Sequence, residues 1–200
     1  KKSSPSLYTG LSDSYSNKDE IDSAFKYNLV TFNLQKSIQE NGKPTITLNS
    51  LGMNYLDKGL THQAIYYFKR SMESNLGNDE EIHIQKGFIN LGNAFSNINL
   101  TDSSIKYYDL ALGLTPEEDK RGRAFLLGTI GTEYFKSGDY TNAEEYLKQS
   151  IPYLNSSLNE LDSLFYLTNY VALQMHNGDM SQAAVVQQYY KLTKIKKSLT

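Results

Sequence analysis

A period of about 40 residues constrains the fold of this chain more than any other feature of its sequence. Small residues recur at intervals of 40, 40, 39 and 40 positions: Ala24, Ala64, Ser104, Ala143 and Ala183. Such a period is typical of repeat architectures, in which each repeat is one supersecondary unit that buries its apolar face against the next. A row of similar units therefore explains the 200 residues better than one compact core does.

A residue that can end a helix precedes each of these small residues by five positions. Glycine takes this place in three units (Gly59, Gly138, Gly178), and Asp19 and Asn99 take it in the other two. All three residue types tolerate the left-handed backbone conformation that closes a helix. We therefore expect a helix to end at this position in every unit.

Ring-bearing and glycine positions also repeat. An aromatic residue stands nine positions before the small residue in four units: Tyr15, Tyr55, Phe95 and Tyr134. Three units carry an apolar residue followed by glycine twelve to thirteen positions before it: Leu51-Gly52, Leu91-Gly92 and Ile130-Gly131. Because the apolar residues of each half recur at three- and four-residue steps, both halves are predicted to be helices that meet closely around a ring.

The pattern predicts ten helices in five pairs: 5–17 and 21–38, 44–58 and 61–76, 79–98 and 101–113, 116–137 and 140–154, and 157–177 and 180–198. Two helix starts have capping signals, Thr115-Pro116-Glu117-Glu118 and Asn78-Asp79-Glu80-Glu81. We expect one domain, residues 1–200, with repeat units at about 5–40, 44–77, 79–115, 116–155 and 157–198.

These residues resemble the tetratricopeptide repeat, whose pattern combines a Leu-Gly pair, a Tyr, a Gly-Asp-Tyr turn, an Ala and an aromatic pair. The fit is close in the units that hold Leu91-Gly92, Phe95 and Tyr107-Tyr108, and Gly131, Tyr134 and Gly138-Asp139-Tyr140. The resemblance implies an all-α fold, a right-handed α-solenoid of about five antiparallel hairpins.

Several positions depart from the family pattern. Ser12 stands where glycine is usual and Asn28 where an aromatic is usual, so the first unit is expected to be a polar cap. The last unit has Tyr170-Val171 for the Leu-Gly pair and Gln174 for the aromatic.

The resemblance also implies a binding surface, because the first helices of successive hairpins line the concave side of such arrays. The side chains expected to face this groove are Asn49, Met53, Leu56, Lys86, Ile89, Asn90, Asn93, Asn97, Phe125, Thr129, Thr132, Phe135, Phe165, Asn169 and Met175. Asparagine can donate to and accept from an extended backbone, and Met and Phe offer apolar pockets. We expect a neutral, partly apolar peptide as ligand, the alternative being that these residues only solvate an empty groove.

A carboxylate clamp for acidic C-termini is not expected. Only Lys86 offers a cation in the groove, and the place of the clamp's first-helix lysine is taken by Thr9, Asn49, Ile89, Gly128 and Thr168.

Composition excludes several other functions. With 20 basic and 22 acidic residues the segment has no broad attraction for nucleic acid, and it has no apolar run that could insert into a membrane. No cysteine is present, and the three histidines (His62, His83, His176) form no metal-ligand spacing. We therefore expect no cofactor and no enzyme activity, and the compartment stays open between cytosol and periplasm.

The C-terminal stretch, with Ala184, Tyr189, Tyr190, Lys191, Lys197, Ser198 and Leu199, resembles the last repeat of bacterial sensor regulators, notably those of Bacteroidetes. That resemblance implies the ligand-sensing part of a signalling protein, on the extracytoplasmic side, followed by an output domain. The alternative is that the four lysines of this stretch are the ordinary cations of a helix C-terminus. The predicted helix 180–198 is more apolar than one partner helix requires. A homodimer through it, or a self-assembling structural role, is the alternative expectation.

Overall fold

The computed structural model describes residues 5–16, 20–38, 45–75, 81–157 and 160–178. This part of the chain forms nine α-helices and contains no strand, which confirms the all-α prediction. The helices are α1 (Pro5–Ser16), α2 (Ile21–Ile38), α3 (Thr45–Asp57), α4 (Thr61–Asn75), α5 (Glu81–Asn97), α6 (Thr101–Gly113), α7 (Lys120–Ser137), α8 (Tyr140–Ser157) and α9 (Glu160–His176).

The start of α7 differs from the prediction. Thr115 does not cap this helix, because its hydroxyl donates to the Ala111 carbonyl at the end of α6, 2.8 Å away. Residues 114–119 form a turn, and the Asp119 carboxylate caps α7 by accepting from the Gly122 amide at 2.9 Å. A carboxylate at the N-cap also suits the helix dipole.

Two other predicted features lie outside the described residues. They are the helix start at Asn78 and the last helix, 180–198.

The predicted helix ends are confirmed at four of the five positions. Gly59, Asn99, Gly138 and Gly178 have φ angles of 72°, 57°, 83° and 77°. At the Gly138 turn, the amide of that glycine donates to the Phe135 carbonyl and the next amide, of Asp139, donates to the Tyr134 carbonyl. These bonds satisfy carbonyls that a helix end otherwise leaves open. Asp19 lies outside the described residues.

Two aromatic rings stack beside the turns at Gly59, Asn99 and Gly138, and another pair joins α1 to α2. The pairs are Tyr15 with Tyr27, Tyr55 with Tyr67, Phe95 with Tyr107, and Tyr134 with Tyr146, with ring centroids 5.3, 5.1, 5.4 and 5.5 Å apart. In every pair the second ring follows the first by twelve residues. The rings therefore join the two helices of a hairpin near its closed end.

The glycine position lies one helical turn further from the closed end. A Cβ added to Gly131 would lie 2.7 Å from Leu147 Cγ and 2.8 Å from the Leu147 backbone nitrogen. A Cβ on Gly52 would collide with the Phe68 ring. Both contacts confirm that the helices meet closely at this glycine.

Polar residues of the first hairpin lie inside the fold, so the expected polar cap is wrong for Ser12 and Asn28. Ser12 is 1% exposed and its hydroxyl donates to the Ala24 carbonyl of α2, 3.0 Å away. Asn28 is 2% exposed, and its amide donates to Asn54 Oδ1 of α3 at 2.7 Å. A small side chain that can bond the opposite helix thus replaces the glycine. Asn28, which stands where an aromatic residue is usual, bonds to an amide of the next hairpin.

The chain divides into two compact units, residues 1–107 and 108–200, with the boundary inside α6. In the first unit Ala64, Ile65, Phe68, Leu91 and Ala94 form a buried cluster. The buried cluster of the second unit contains Ala124, Ala143, Leu147, Tyr166, Leu167, Tyr170 and Leu173. Within each unit, helices pack mainly on the helices next to them in sequence, which is the pattern of a repeat fold.

Replacing Gly131 with leucine should destabilise the protein by about 1 to 3 kcal/mol or more, because part of its neighbour is backbone and cannot yield. Gly10→Leu is the matched control, since no atom lies within 4 Å of a Cβ at that position. Denaturant unfolding of both variants measures the difference. Equal stability of the two would show that the crossing at Gly131 is not tight.

The buried amide pair generates a second prediction. Asn54→Ala leaves the Asn28 amide without its acceptor and should cost about 1 to 3 kcal/mol. The double variant Asn28→Ala, Asn54→Ala should cost less than the sum of the two single variants, because both partners then leave together. Additive costs in this double-mutant cycle would show that the bond contributes nothing.

Candidate functional site

One face of α3 and one face of α5 are exposed and lie next to each other in the first unit. On α3 the exposed or half-exposed positions follow steps of four, three and four residues: Ile46, Ser50, Met53 and Asp57. The same steps on α5 give Lys86, Asn90, Asn93 and Asn97. The residues between them on α3 are buried, namely Thr47, Leu48, Leu51, Gly52 and Asn54. We use the name α3–α5 face for the four exposed or half-exposed positions of α3, the four of α5, and Asn49 between these two rows.

An amide bond joins the two rows of this face. Asn90 Nδ2 donates to Asn49 Oδ1 at 2.7 Å, so two of the predicted ligand contacts are hydrogen-bonded to each other. Each amide has a further oxygen or nitrogen beyond the atoms used in this bond. The pair therefore holds the helices in register and leaves polar groups with capacity for a ligand.

Apolar side chains on the α3–α5 face are unusually accessible. Ile46 is 60% exposed and Met53 is 37% exposed. The predicted residues Leu56 and Ile89 are half-buried at the edge of the face, whereas Lys86 and Asn97 are exposed. The prediction included Met53 but missed Ile46, Ser50 and Asp57, which extend the same helical stripe at both ends.

The corresponding surface of the second unit, on α7 and α9, is more closed. The Tyr166 ring lies on Gly128, where a Cβ would be 2.6 Å from the ring, and its hydroxyl is 2.9 Å from Thr129 Oγ1. Thr132 is 4% exposed and accepts a hydrogen bond from Asn169 at 3.0 Å. Both threonines were predicted to face a ligand, but the structure places them in contacts between α7 and α9.

Four other predicted residues belong to the second unit. Phe125 and Phe135 are half-buried, and Met175 is 54% exposed near the end of α9. Phe165 lies on α9, but its side chain falls outside the described residues.

A contact between neighbouring hairpins explains an irregular residue of the last unit. In the first unit Phe25 meets Tyr55 edge-on at 5.0 Å, and the two positions are thirty residues apart. The same spacing in the second unit joins Glu144 to Gln174, whose side-chain nitrogen donates to the carboxylate at 3.2 Å. The sequence analysis noted Gln174 but did not identify Glu144 as its partner. The signal for this contact is an acidic residue thirty positions before Gln174, where the first unit has the aromatic Phe25.

Two surface depressions occupy equivalent places in the two units. One, of 490 Å³, lies at the start of α2 and includes Lys58, which is ion-paired with Asp22. The other, of 350 Å³, lies along α8 and includes Glu144 and Asn177. Each contains one ion pair, and most of the residues around it are charged or polar, unlike the mainly hydrophobic and aromatic residues that line a typical small-molecule site.

Histidines and carboxylates offer no metal site in the described parts of the chain, where no group of three or more potential ligands comes together. His176 is exposed, and its ring lies 4.0 Å from that of Tyr140. Among the described helices, none is long and apolar enough to cross a membrane.

Burial raises the pKa values of two hydrogen-bonded side chains in the second unit, Tyr146 and Asp109. The Tyr146 hydroxyl donates to Asp109 Oδ1 at 3.3 Å, and burial, followed by the charge of Asp109, raises the pKa of Tyr146 to about 12. Burial also raises the pKa of Asp109, an effect that the bond from Tyr146 opposes. The pair is structural, since it lies on α6 and α8 and not on the first helices that carry the predicted ligand contacts.

The comparisons with known proteins agree with this geometry. The family model of the tetratricopeptide repeat matches residues 86–118 and 126–151, the segments in which the sequence pattern is closest. The chain contains tetratricopeptide repeats. No curated protein has a significantly similar sequence.

Solved structures with similar folds are tetratricopeptide-like. The apo form of RapI has a TM-score of 0.83 at 12% identity, over 97% of this chain and 71% of that one. A putative kinesin light chain from Podosopora anserina, with TPR-like repeats, has a TM-score of 0.78 at 13% identity over the full length of both chains. The quorum sensor NprR from B. thuringiensis has a TM-score of 0.79 at 17% identity, over 92% of this chain and 53% of that one. The tetratricopeptide fold is typical of non-catalytic scaffolds for protein interactions.

The two carboxylates Asp109 and Asp139 should respond oppositely to pH. Burial raises the pKa of Asp109, so ionisation disfavours the folded state and stability falls as pH rises through the carboxyl range. Asp109→Asn should therefore gain stability relative to wild type between pH of about 4 and about 7.

Asp139→Asn is the matched control. Hydrogen bonds from the Asn142 side chain and amide lower the pKa of Asp139, so its contribution is present at neutral pH and lost in acid. This variant should lose stability at neutral pH but not in acid. Denaturant unfolding at both pH values measures the signs, and the same sign for both variants would contradict this assignment.

Proposed function

We propose that this tetratricopeptide chain binds an extended peptide segment on its α3–α5 face, as the sensory or regulatory part of a bacterial signalling protein. The observation that carries the proposal is the exposure of Ile46 and Met53 on a surface that also holds amides. Exposed apolar side chains beside polar groups are a usual feature of interaction sites.

The distribution of accessible groups favours the first unit over the second as the main site. On α7 and α9 the equivalent positions are occupied by the Tyr166 ring and by the bond from Asn169 to Thr132. On α3 and α5 a bond from Asn90 to Asn49 crosses between the rows. A peptide backbone can pair with the Asn49 nitrogen and the Asn90 oxygen, which this bond does not use, while its side chains contact Met53 and Ile46.

The signalling role rests on likeness alone. One similar structure is a quorum sensor, and this chain spans about half of its length. The resemblance of the C-terminal stretch to sensor regulators lies outside the described residues.

Self-association is the second candidate function. Leu60 and Leu100 follow successive turns of the first unit and are 43% and 50% exposed. Static light scattering over a concentration series tests it. A mass that stays at one chain would remove self-association and leave peptide binding.

The proposal predicts that random dodecapeptides displayed on phage are enriched by the wild-type protein through the α3–α5 face. Met53→Glu together with Asn93→Ala should reduce binding of the enriched peptides at least tenfold, because it places a charge at the apolar contact and removes an amide. Leu110→Glu, an equivalent change at a 42% exposed leucine of α6, is the matched control.

Circular dichroism checks that all variants keep their helices. Enriched peptides that bind the Met53 variant as tightly as wild type would place the binding site elsewhere.

A further inference from the structure

The charges of the α3–α5 face are few and have opposite signs. Apart from His83, α3 and α5 carry acidic or basic residues only at Asp57, Glu81 and Lys86. Asp57 and Lys86 are stripe positions of the face and are exposed, whereas Glu81 is not a stripe position. The face therefore has one cation near the start of α5 and one anion at the end of α3.

The negative charge of the Asp57 carboxylate lies where the helix dipole makes a negative charge unfavourable. It is the last residue of α3, where the helix dipole already contributes negative charge. The described residues give it no ion-pair partner, since the neighbouring Lys58 pairs with Asp22. Although this side chain is exposed, neighbouring atoms shield its carboxyl partly from water and raise its pKa. An unfavourable charge without a compensating contact is more common at functional positions than elsewhere.

Repeat register fixes the separation of the two charges along the helices. Lys86 lies eighteen residues before Ser104, and Asp57 lies seven before Ala64, so they are eleven helical positions apart in equivalent units. At about 1.5 Å per residue this is about 16 Å along the helix axis. An extended chain rises about 3.3 Å per residue, so about five residues span that distance.

We infer that the ligand of the α3–α5 face is an extended segment with an acidic group at one end, a basic group about five residues away, and an apolar side chain between them. This inference rests on the proposed function and specifies its partner. The acidic group pairs with Lys86, the apolar side chain contacts Met53, and the basic group pairs with Asp57. A segment with two acidic or two basic ends places one like charge against the face.

Charge-reversal variants of the full chain test this assignment with the same dodecapeptide library. Wild type should enrich peptides that carry one acidic and one basic residue at this spacing. Lys86→Glu should shift the enrichment to peptides with two basic residues, and Asp57→Lys to peptides with two acidic residues. We expect each shift to be about fivefold at low salt, and smaller at high salt because both charges are exposed.

The double variant Lys86→Glu, Asp57→Lys should restore the preference for mixed charges. Identical charge patterns in the peptides enriched by all four proteins would overturn the inference. If binding of those peptides still depended on Met53, the proposed function would stand and only the inference about charges would be wrong. If no peptide depended on Met53, both would fall.

Discussion

The stacked ring pair beside each turn is the contact on which the rest of each described hairpin depends. A left-handed residue reverses the chain at Gly59, the rings of Tyr55 and Tyr67 close over it, and Gly52 then meets Phe68 one turn further on. Beyond that, the Ser71 hydroxyl donates to the Thr45 carbonyl at 2.7 Å. The contacts follow one another along the helix pair, so together they fix which face of the first helix packs against the second.

The features that repeat could be predicted from the sequence, because each has a local physical cause. Helix ends followed from glycine and asparagine at one spacing, and they are confirmed at Gly59, Asn99, Gly138 and Gly178. The aromatic position was also predicted, but its partner ring twelve residues later was not, although Tyr27, Tyr67, Tyr107 and Tyr146 repeat with the same period.

The predictions that were wrong concern polar side chains, because they depended on which hydrogen-bond partner each side chain has in the folded protein. Threonine is a common N-cap residue, but the hydroxyl of Thr115 bonds to the helix before it. Ser12 and Asn28 look like surface residues, yet each bonds to a neighbouring helix and is buried. Asn49 and Asn90 were correctly placed on adjacent helices, while their bond to each other depends on a separation that spacing alone does not give. Residue type fixes what a side chain can bond, and only the packed helices decide the partner.

The difference between the two units has a simple structural origin. Gly128 leaves space on α7, and the Tyr166 ring fills it, whereas Asn49 occupies the equivalent place on α3 and reaches across to Asn90. Glycine at this position of α7 thus allows an aromatic ring to close the surface, whereas asparagine at the same position of α3 keeps the surface open and polar. The two units therefore present different surfaces at this position without a change of fold.

The four methionines allow the most direct test of where a ligand binds. Met53 lies on the α3–α5 face, Met72 is half-buried against Gly87, Met175 is exposed at the end of α9, and Met180 lies outside the described residues. With methyl-labelled methionine, a peptide enriched by the wild-type protein should shift the NMR signal of Met53 and leave that of Met72 nearly unchanged. Assignment follows from single Met→Leu variants. A bound peptide that shifts Met175 and leaves Met53 unmoved would contradict the α3–α5 face as the binding site.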